Sequence, residues 1–360
     1  MSTIRVDIQV LRGLAVLFVV LEHLAIPGFH YGYLGVDIFF VISGFLITSI
    51  VSRGLARDKF SFKEFYLRRA KRLLPASFVT ILATIIAAKL FLPPMQIESL
   101  KQQIIGALTF STNFVLLSQA GYFDLESATK PLLHMWSLAV EEQFYLIWPV
   151  VMLVVAKFGK RRLPIVSAVF VLIAVALAVY MAVVYQPGTI STINDTPEQF
   201  MSLFGQSVSR VDYLFLGTFT RSSGLLLGAA LAIWWRPWLL QNSRAGESKL
   251  YDIVGFGGLV AMALMMWRFH TVIEGTDGGT VGYDLLFRGG FFLTDLASVA
   301  LIAAAVHPGS KVIAKSLSNP VLVWLGRRSY GFYLFHWPVF QFYRRFAGQG
   351  LTPYEFVVLV

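Results

Sequence analysis

Residues 34–52 read L-G-V-D-I-F-F-V-I-S-G-F-L-I-T-S-I-V-S, nineteen positions with a single charged side chain, Asp37. As a helix this run is about 28 Å long, close to the ~30 Å thickness of a bilayer's hydrocarbon core. Backbone groups in lipid must bond within their own segment, so the run reads as a membrane-spanning helix.

The same texture recurs along the chain. Of 360 residues, 56% are apolar, 15% aromatic and 14% charged, and the mean hydropathy is +0.68. A water-soluble core has no use for so much apolar surface. Working outward from 34–52, spans are expected at about 8–26, 73–92, 134–156, 163–185, 212–235, 251–268, 283–306 and 320–342. A last one begins near 353 and is cut short at Val360, as if the chain were an N-terminal piece of something longer. The expected fold class is therefore all-α, a polytopic transmembrane bundle of about ten spans forming one membrane domain over 1–360. The first run is a retained helix rather than a leader, because it carries Arg12, Glu22 and His23 and no small-residue cleavage site follows it.

Lys and Arg set the orientation, since short cytoplasmic loops retain them. The stretch 53–72 holds eight and 27–33 holds none; over all loops the two sides carry 18 against 5. This predicts a cytoplasmic N-terminus. The run 104–118 includes Ser111, Thr112 and Asn113, and counting it as a span would move Lys157, Lys160, Arg161 and Arg162 outside. It is therefore expected to be re-entrant or interfacial. The net charge of +10 fits anchoring to anionic membrane lipids, and no nucleic-acid partner is needed to explain it. With no cysteine, disulfides, zinc-thiolate sites and a thiol nucleophile are excluded. No phosphate-binding glycine loop or dinucleotide fingerprint occurs, and no metal site is expected.

Charged side chains inside spans are costly and mark function. Arg12 and His23 stand eleven residues apart, three helical turns plus about 20°, on one face and about 16 Å from each other. Asp37, Glu141 and Glu142 are expected at the depth of His23. Arg69 and Arg72, three apart, form a fork suited to phosphates. Arg221 lies mid-span and needs an anionic or carbonyl partner, while Gly224 and Gly228 indicate close helix packing. Tyr330 and His336 lie in the ninth span; they are candidates for substrate contact or oxyanion stabilisation, with packing and an interfacial belt as the simpler alternatives.

Five blocks then carry a resemblance: R-G-L-A-V-L-F-V-V-L-E-H (12–23), G-V-D-I-F-F-V-I-S-G-F (35–45), F-Y-L-R-R-A-K-R-L-L-P (65–75), S-L-A-V-E-E-Q-F-Y-L-I-W-P (137–149) and S-Y-G-F-Y-L-F-H-W-P (329–338). In this order they resemble the acyltransferase-3 family of integral-membrane O-acyltransferases over essentially the whole chain. The resemblance implies an O-acetyltransferase of the bacterial inner membrane, passing an acetyl group from cytoplasmic acetyl-coenzyme A to a glycan such as O-antigen, peptidoglycan or exopolysaccharide. Acetyl-coenzyme A would be a co-substrate rather than a bound cofactor, and an extracytoplasmic domain fused after the last span is a common companion. The family's Arg-x10-His pair falls on Arg12 and His23, and its Arg-x-x-Arg on Arg69 and Arg72. One departure stands out: members often carry an acidic residue two to four positions before the glycine matching Gly228, and here those positions hold none.

These residues lead to an expected mechanism. Coenzyme A phosphates dock on Arg69 and Arg72, with Arg12 and Arg221 as further donor-binding cations. His23 is the general base, and Asp37, Glu141 or Glu142 orient it; attack by the imidazole itself to give an acyl-histidine is the variant. The competing class is a proton-coupled transporter using the same titratable residues. It calls for inverted repeats and broken helices, and the sequence suggests neither.

Overall fold

The computed structural model describes residues 6–24, 26, 31–119, 130–159, 162–188, 192–203, 205–235, 249–268 and 284–347. The start of the expected tenth span, near 353, lies outside them. The described residues form a helical bundle with helices α1 (Val6–His23), α2 (Gly35–Ala56), α3 (Phe62–Phe91), α4 (Pro94–Leu108), α5 (Thr112–Ser118), α6 (Met135–Phe158) and α7 (Leu163–Val184). A hairpin of β1 (Phe200–Leu203) and β2 (Gln206–Ser209) follows. Then come α8 (Arg210–Leu216), α9 (Ser222–Trp234), α10 (Lys249–Arg268), α11 (Phe291–Ala305), α12 (Lys311–Leu317) and α13 (Pro320–Ala347).

Among the described residues, six helical segments are long and apolar enough to cross a bilayer by themselves: Gly32–Ala56, Phe62–Phe91, Met135–Phe158, Leu163–Val184, Lys249–Trp267 and Leu286–Ala305. The chain is thus an all-α polytopic bundle. α1 and α13 are also long but more polar, the first with Asp7, Arg12 and Glu22, the second with four arginines and a histidine. Burial orders the layers: 83% of the apolar window of α2 is covered, against 28% for α7 and 17% for α10. The uncovered faces are themselves apolar, with Leu82 and Ile86 on α3, Leu172 and Val183 on α7 and Phe256 and Leu264 on α10. An outward-facing apolar belt of this kind belongs against lipid.

Small residues set the closest approaches. A side chain at Gly44 of α2 would run into the backbone of Leu225, and one at Gly228 of α9 into that of Val41. The close packing expected of Gly228 is what α2 and α9 use, while Gly224 closes chiefly on Asp295 of α11. Gly13 of α1 and Gly326 of α13 face each other in the same way, which holds α13 alongside α1.

α3 carries the expected 73–92 span and extends before it to Phe62, where the Ser61 side chain caps it by accepting from the Glu64 amide at 3.4 Å. Two departures from the expected spans have local causes. The expected span 212–235 is broken into α8 and α9. At the break, Thr220 shares its one hydroxyl proton between the carbonyls of Leu214 (2.8 Å) and Gly217 (2.9 Å), and Asn113 donates to that of Leu216 (3.1 Å). Backbone groups freed inside a bundle must find such partners. A broken helix is therefore present where the sequence suggested none. The expected 283–306 span likewise opens with a wide turn over Leu286–Gly290, where Gly289 takes φ 130°, a conformation only glycine adopts readily.

The run 104–118 is two helices joined at Phe110, with φ 52°. α5 packs against α6 and α8, and Gln143 of α6 donates to the Phe110 carbonyl (2.7 Å) and to Asn113 (2.9 Å). Its polar residues thus brace the α8–α9 break.

Candidate active site

α1 and α13 bring two histidines together. His23 Nδ1 stands 2.9 Å from His336 Nε2, the two ring planes differ by 8°, and Trp337 packs on His23 with ring centres 4.5 Å apart. His336 is buried, and its Nδ1 lies 2.7 Å from the Tyr333 carbonyl and 3.2 Å from that of Phe332. His134, in the turn before α6, sets its ring edge-on to His336 at 5.4 Å and holds the Leu334 carbonyl at 3.0 Å. The side chains that touch His23 are His336 and Trp337, while Arg344 donates to its carbonyl at 2.6 Å. The expected orienting carboxylates bond elsewhere. Glu22, next to His23, takes a hydrogen bond from the Tyr33 backbone amide. Tyr31, just ahead of α2, has its phenol pushed up by burial and then by that carboxylate.

Glu141 and Glu142 belong to a second cluster. Arg69 of α3 grips Glu142 with both sides of its guanidinium, Nε lying 2.8 and 3.0 Å from the two oxygens. It also stands 3.7 Å from Glu141 and 3.2 Å above the Tyr145 ring. Glu141 accepts from Tyr145 and from Ser43, each at 2.6 Å. Arg69 and Arg72 therefore do not form an open fork, since Arg69 is turned inward to carboxylates while Arg72 is exposed. Arg12 is buried over the Phe39 ring at 4.8 Å, its Nε without a partner, within electrostatic range of Arg72, Glu141 and Arg69.

The third group sits where α8 and α9 break. Arg221 places Nη2 2.7 Å from Asp37 and its guanidinium 3.9 Å above Phe291, both charged groups being almost fully buried. Arg221 thus has the anionic partner it needed, and Asp37 serves it rather than His23. Tyr330 is likewise committed: its hydroxyl meets Ser77 at 2.7 Å and donates to the Leu73 carbonyl at 3.0 Å, so it ties α13 to α3.

Three hollows lie beside the first two clusters. One of about 280 Å³ lies beside Arg69 and Glu142 and is walled by Tyr66, Leu73, Phe110 and Tyr145. A narrow gap of about 20 Å³ runs between Phe39, Glu141, Tyr330 and Tyr333. It shares Val19, Val36 and Tyr333 with a third hollow, which His23, His134 and Trp337 line. Among the described residues no group of three His, Asp or Glu side chains is placed to hold a metal ion.

A family model described as an acyltransferase domain matches residues 5–360. The chain belongs to the acyltransferase-3 family. It is 36% identical over 332 residues to a provisionally named peptidoglycan O-acetyltransferase, YrhL, of Bacillus subtilis strain 168, covering 91% of this chain and 47% of that protein. It is 33% identical over 353 residues to the O-acetyltransferase OatA of Staphylococcus aureus strain NCTC 8325, covering 97% of this chain and 53% of that protein. The chain thus spans about half the length of these relatives. No solved structure matches it.

Asp295 of α11 brings its carboxylate against Gly224, where a Cβ would collide with it, and accepts from Ser223 at 2.6 Å. Sequence reasoning passed over Asp295 and His134, although a carboxylate in the middle of an apolar run was signal enough for the first.

Proposed function

We propose that this chain is the membrane part of an O-acetyltransferase of the bacterial inner membrane. It takes an acetyl group from acetyl-coenzyme A on the cytoplasmic side and transfers it to a sugar hydroxyl of a surface glycan. In this reading the chain crosses the bilayer ten times with its N-terminus in the cytoplasm, an orientation that the 18 against 5 distribution of Lys and Arg supports. The relative named for peptidoglycan favours a peptidoglycan sugar over O-antigen as acceptor.

The observation that carries the reading is the placement of His23 on a hollow that shares walls with a gap running along α1 to Glu141. Phosphates dock at the Arg72 end, where Arg69 and Arg12 add positive potential. The pantetheine arm follows α1 over the ~16 Å from Arg12 to His23. There the acceptor hydroxyl attacks the thioester carbonyl as His23 takes its proton. The C–S bond then breaks and the proton passes to the departing thiolate, leaving an O-acetyl ester and free coenzyme A. The Asp37–Arg221 pair holds the broken helix in place beside this path.

That broken helix is also the one feature favouring a proton-coupled transporter. Membranes supplied with acetyl-labelled acetyl-coenzyme A separate the two: the transferase releases coenzyme A and leaves label on glycan in a protein-dependent way, and a transporter does neither. Mass spectrometry of surface glycans from cells with and without the gene then identifies the acceptor.

A further inference from the structure

A neutral imidazole has one N–H and one bare nitrogen, and which is which follows from what each faces. The two groups at His336 Nδ1 are the Tyr333 and Phe332 carbonyls, at 2.7 and 3.2 Å. A carbonyl oxygen can only accept, so Nδ1 of His336 carries the proton and its Nε2 is bare. The atom 2.9 Å from that bare nitrogen is His23 Nδ1, which must therefore be the donor. His23 is left with its Nε2 unprotonated.

The ring geometry agrees. Each ring nitrogen stands about 1.1 Å from its ring centre, so a linear in-plane N–H···N bond of this length separates the centres by about 5 Å. The observed values are 5.1 Å with planes 8° apart, a coplanar head-to-tail pair rather than two stacked faces. Among the described residues His23 Nε2 has no hydrogen-bond partner, and His23 is half-buried and lines the hollow next to Tyr333 and Trp337.

We infer that His336 is a positioning residue: it holds His23 in the Nδ1–H form, so that the bare Nε2 faces the acyl-transfer site, and then shares the charge of the imidazolium through the Nδ1–H···Nε2 bond. This is the task a carboxylate performs in hydrolase triads, done here by a neutral ring whose own tautomer is set by the backbone of α13. The inference rests on His23 being the base of the proposed reaction. It also has a built-in consequence. Protonation of His336 turns its Nε2 into a donor, which forces His23 into the other tautomer and removes the base. The groups facing the pair are Tyr333 and Arg344 on α13, His134 before α6, Tyr33 before α2 and Glu22 on α1, whose carboxylate is turned to the Tyr33 amide.

The test uses the full-length protein in detergent or liposomes. In ¹⁵N-histidine spectra of the wild-type protein, His23 should show a protonated Nδ1 and a pyridine-like Nε2; finding the proton on Nε2 overturns the inference. His336→Leu should lower kcat for acetyl transfer about a hundredfold with little change in donor KM. His336→Gln, which accepts through Oε1 and donates through Nε2, should recover most of the loss and leave an acid limb set by the single titration of His23. A His336→Leu protein with near-normal kcat, while His23→Gln is inactive, removes His336 from the mechanism and leaves the acetyltransferase reading standing. An active His23→Gln protein removes the base itself.

Discussion

Arg221 and Asp37 meet at 2.7 Å where neither side chain reaches solvent, joining the start of α9 to the start of α2 across the break in the chain. Removing one partner strands the other's charge, which costs about 3–5 kcal/mol, whereas replacing both by neutral residues is far milder. Asp37→Asn and Arg221→Met should each lower the melting temperature of the purified protein sharply, and the double variant should regain much of the loss. Additive losses in the double variant would show that the pair is not coupled.

The α2–α9 crossing makes a second expectation. Gly228→Val sets a branched side chain against the Val41 backbone, and Gly44→Val one against Leu225. Either should abolish the monodisperse folded species in size-exclusion chromatography. Gly257→Ala, where nothing lies within 4 Å, should behave as wild type.

How much of this was legible beforehand depends on what hydropathy measures. α6 and α7 appear within two residues of their expected ends and α2 within four, because a long apolar run with turn residues on both sides leaves one solution. The grouping of Asp37, Glu141 and Glu142 around His23 was not recoverable. A helical period gives a residue's face and depth on its own helix, but not which neighbouring helix that face meets. The break at Gly217 left a trace in G-T-F-T-R-S-S (217–223), yet its stability comes from Asn113, about a hundred positions away. Helix packing of that range leaves no periodic mark.

Donor binding divides the two arginines of the Arg-x-x-Arg motif. Arg72 is exposed, so Arg72→Ala should raise the KM for acetyl-coenzyme A tenfold or more, from the ~1.5–3 kcal/mol of a charge-assisted bond, with no loss of thermal stability. Arg69→Ala should raise KM and also lower the melting temperature, because Glu142 loses its bidentate partner. Equal thermal losses in both variants would assign the motif to structure alone.

Topology is open to a direct check, since the chain has no cysteine. A single cysteine at Ser61 should be shielded from an impermeant thiol reagent in intact cells and react after lysis, while one at Thr276 should react at once. Cysteine at Ser127, between the 104–118 run and α6, should react from outside. Thr276 and Ser127 lie outside the described residues, so their labelling supplies independent information.

The central claim is that His23 Nε2 takes the proton from the acceptor hydroxyl, and His23→Gln tests it most directly. Glutamine keeps the size and the hydrogen bond to His336 but has no basic nitrogen, so a structural histidine would tolerate the change and a general base would not. Acetyl transfer to glycan from labelled acetyl-coenzyme A should fall by a factor of about 10² to 10⁴ in His23→Gln, with expression and melting temperature retained. A fully expressed His23→Gln protein that acetylates glycan at the wild-type rate would contradict the account.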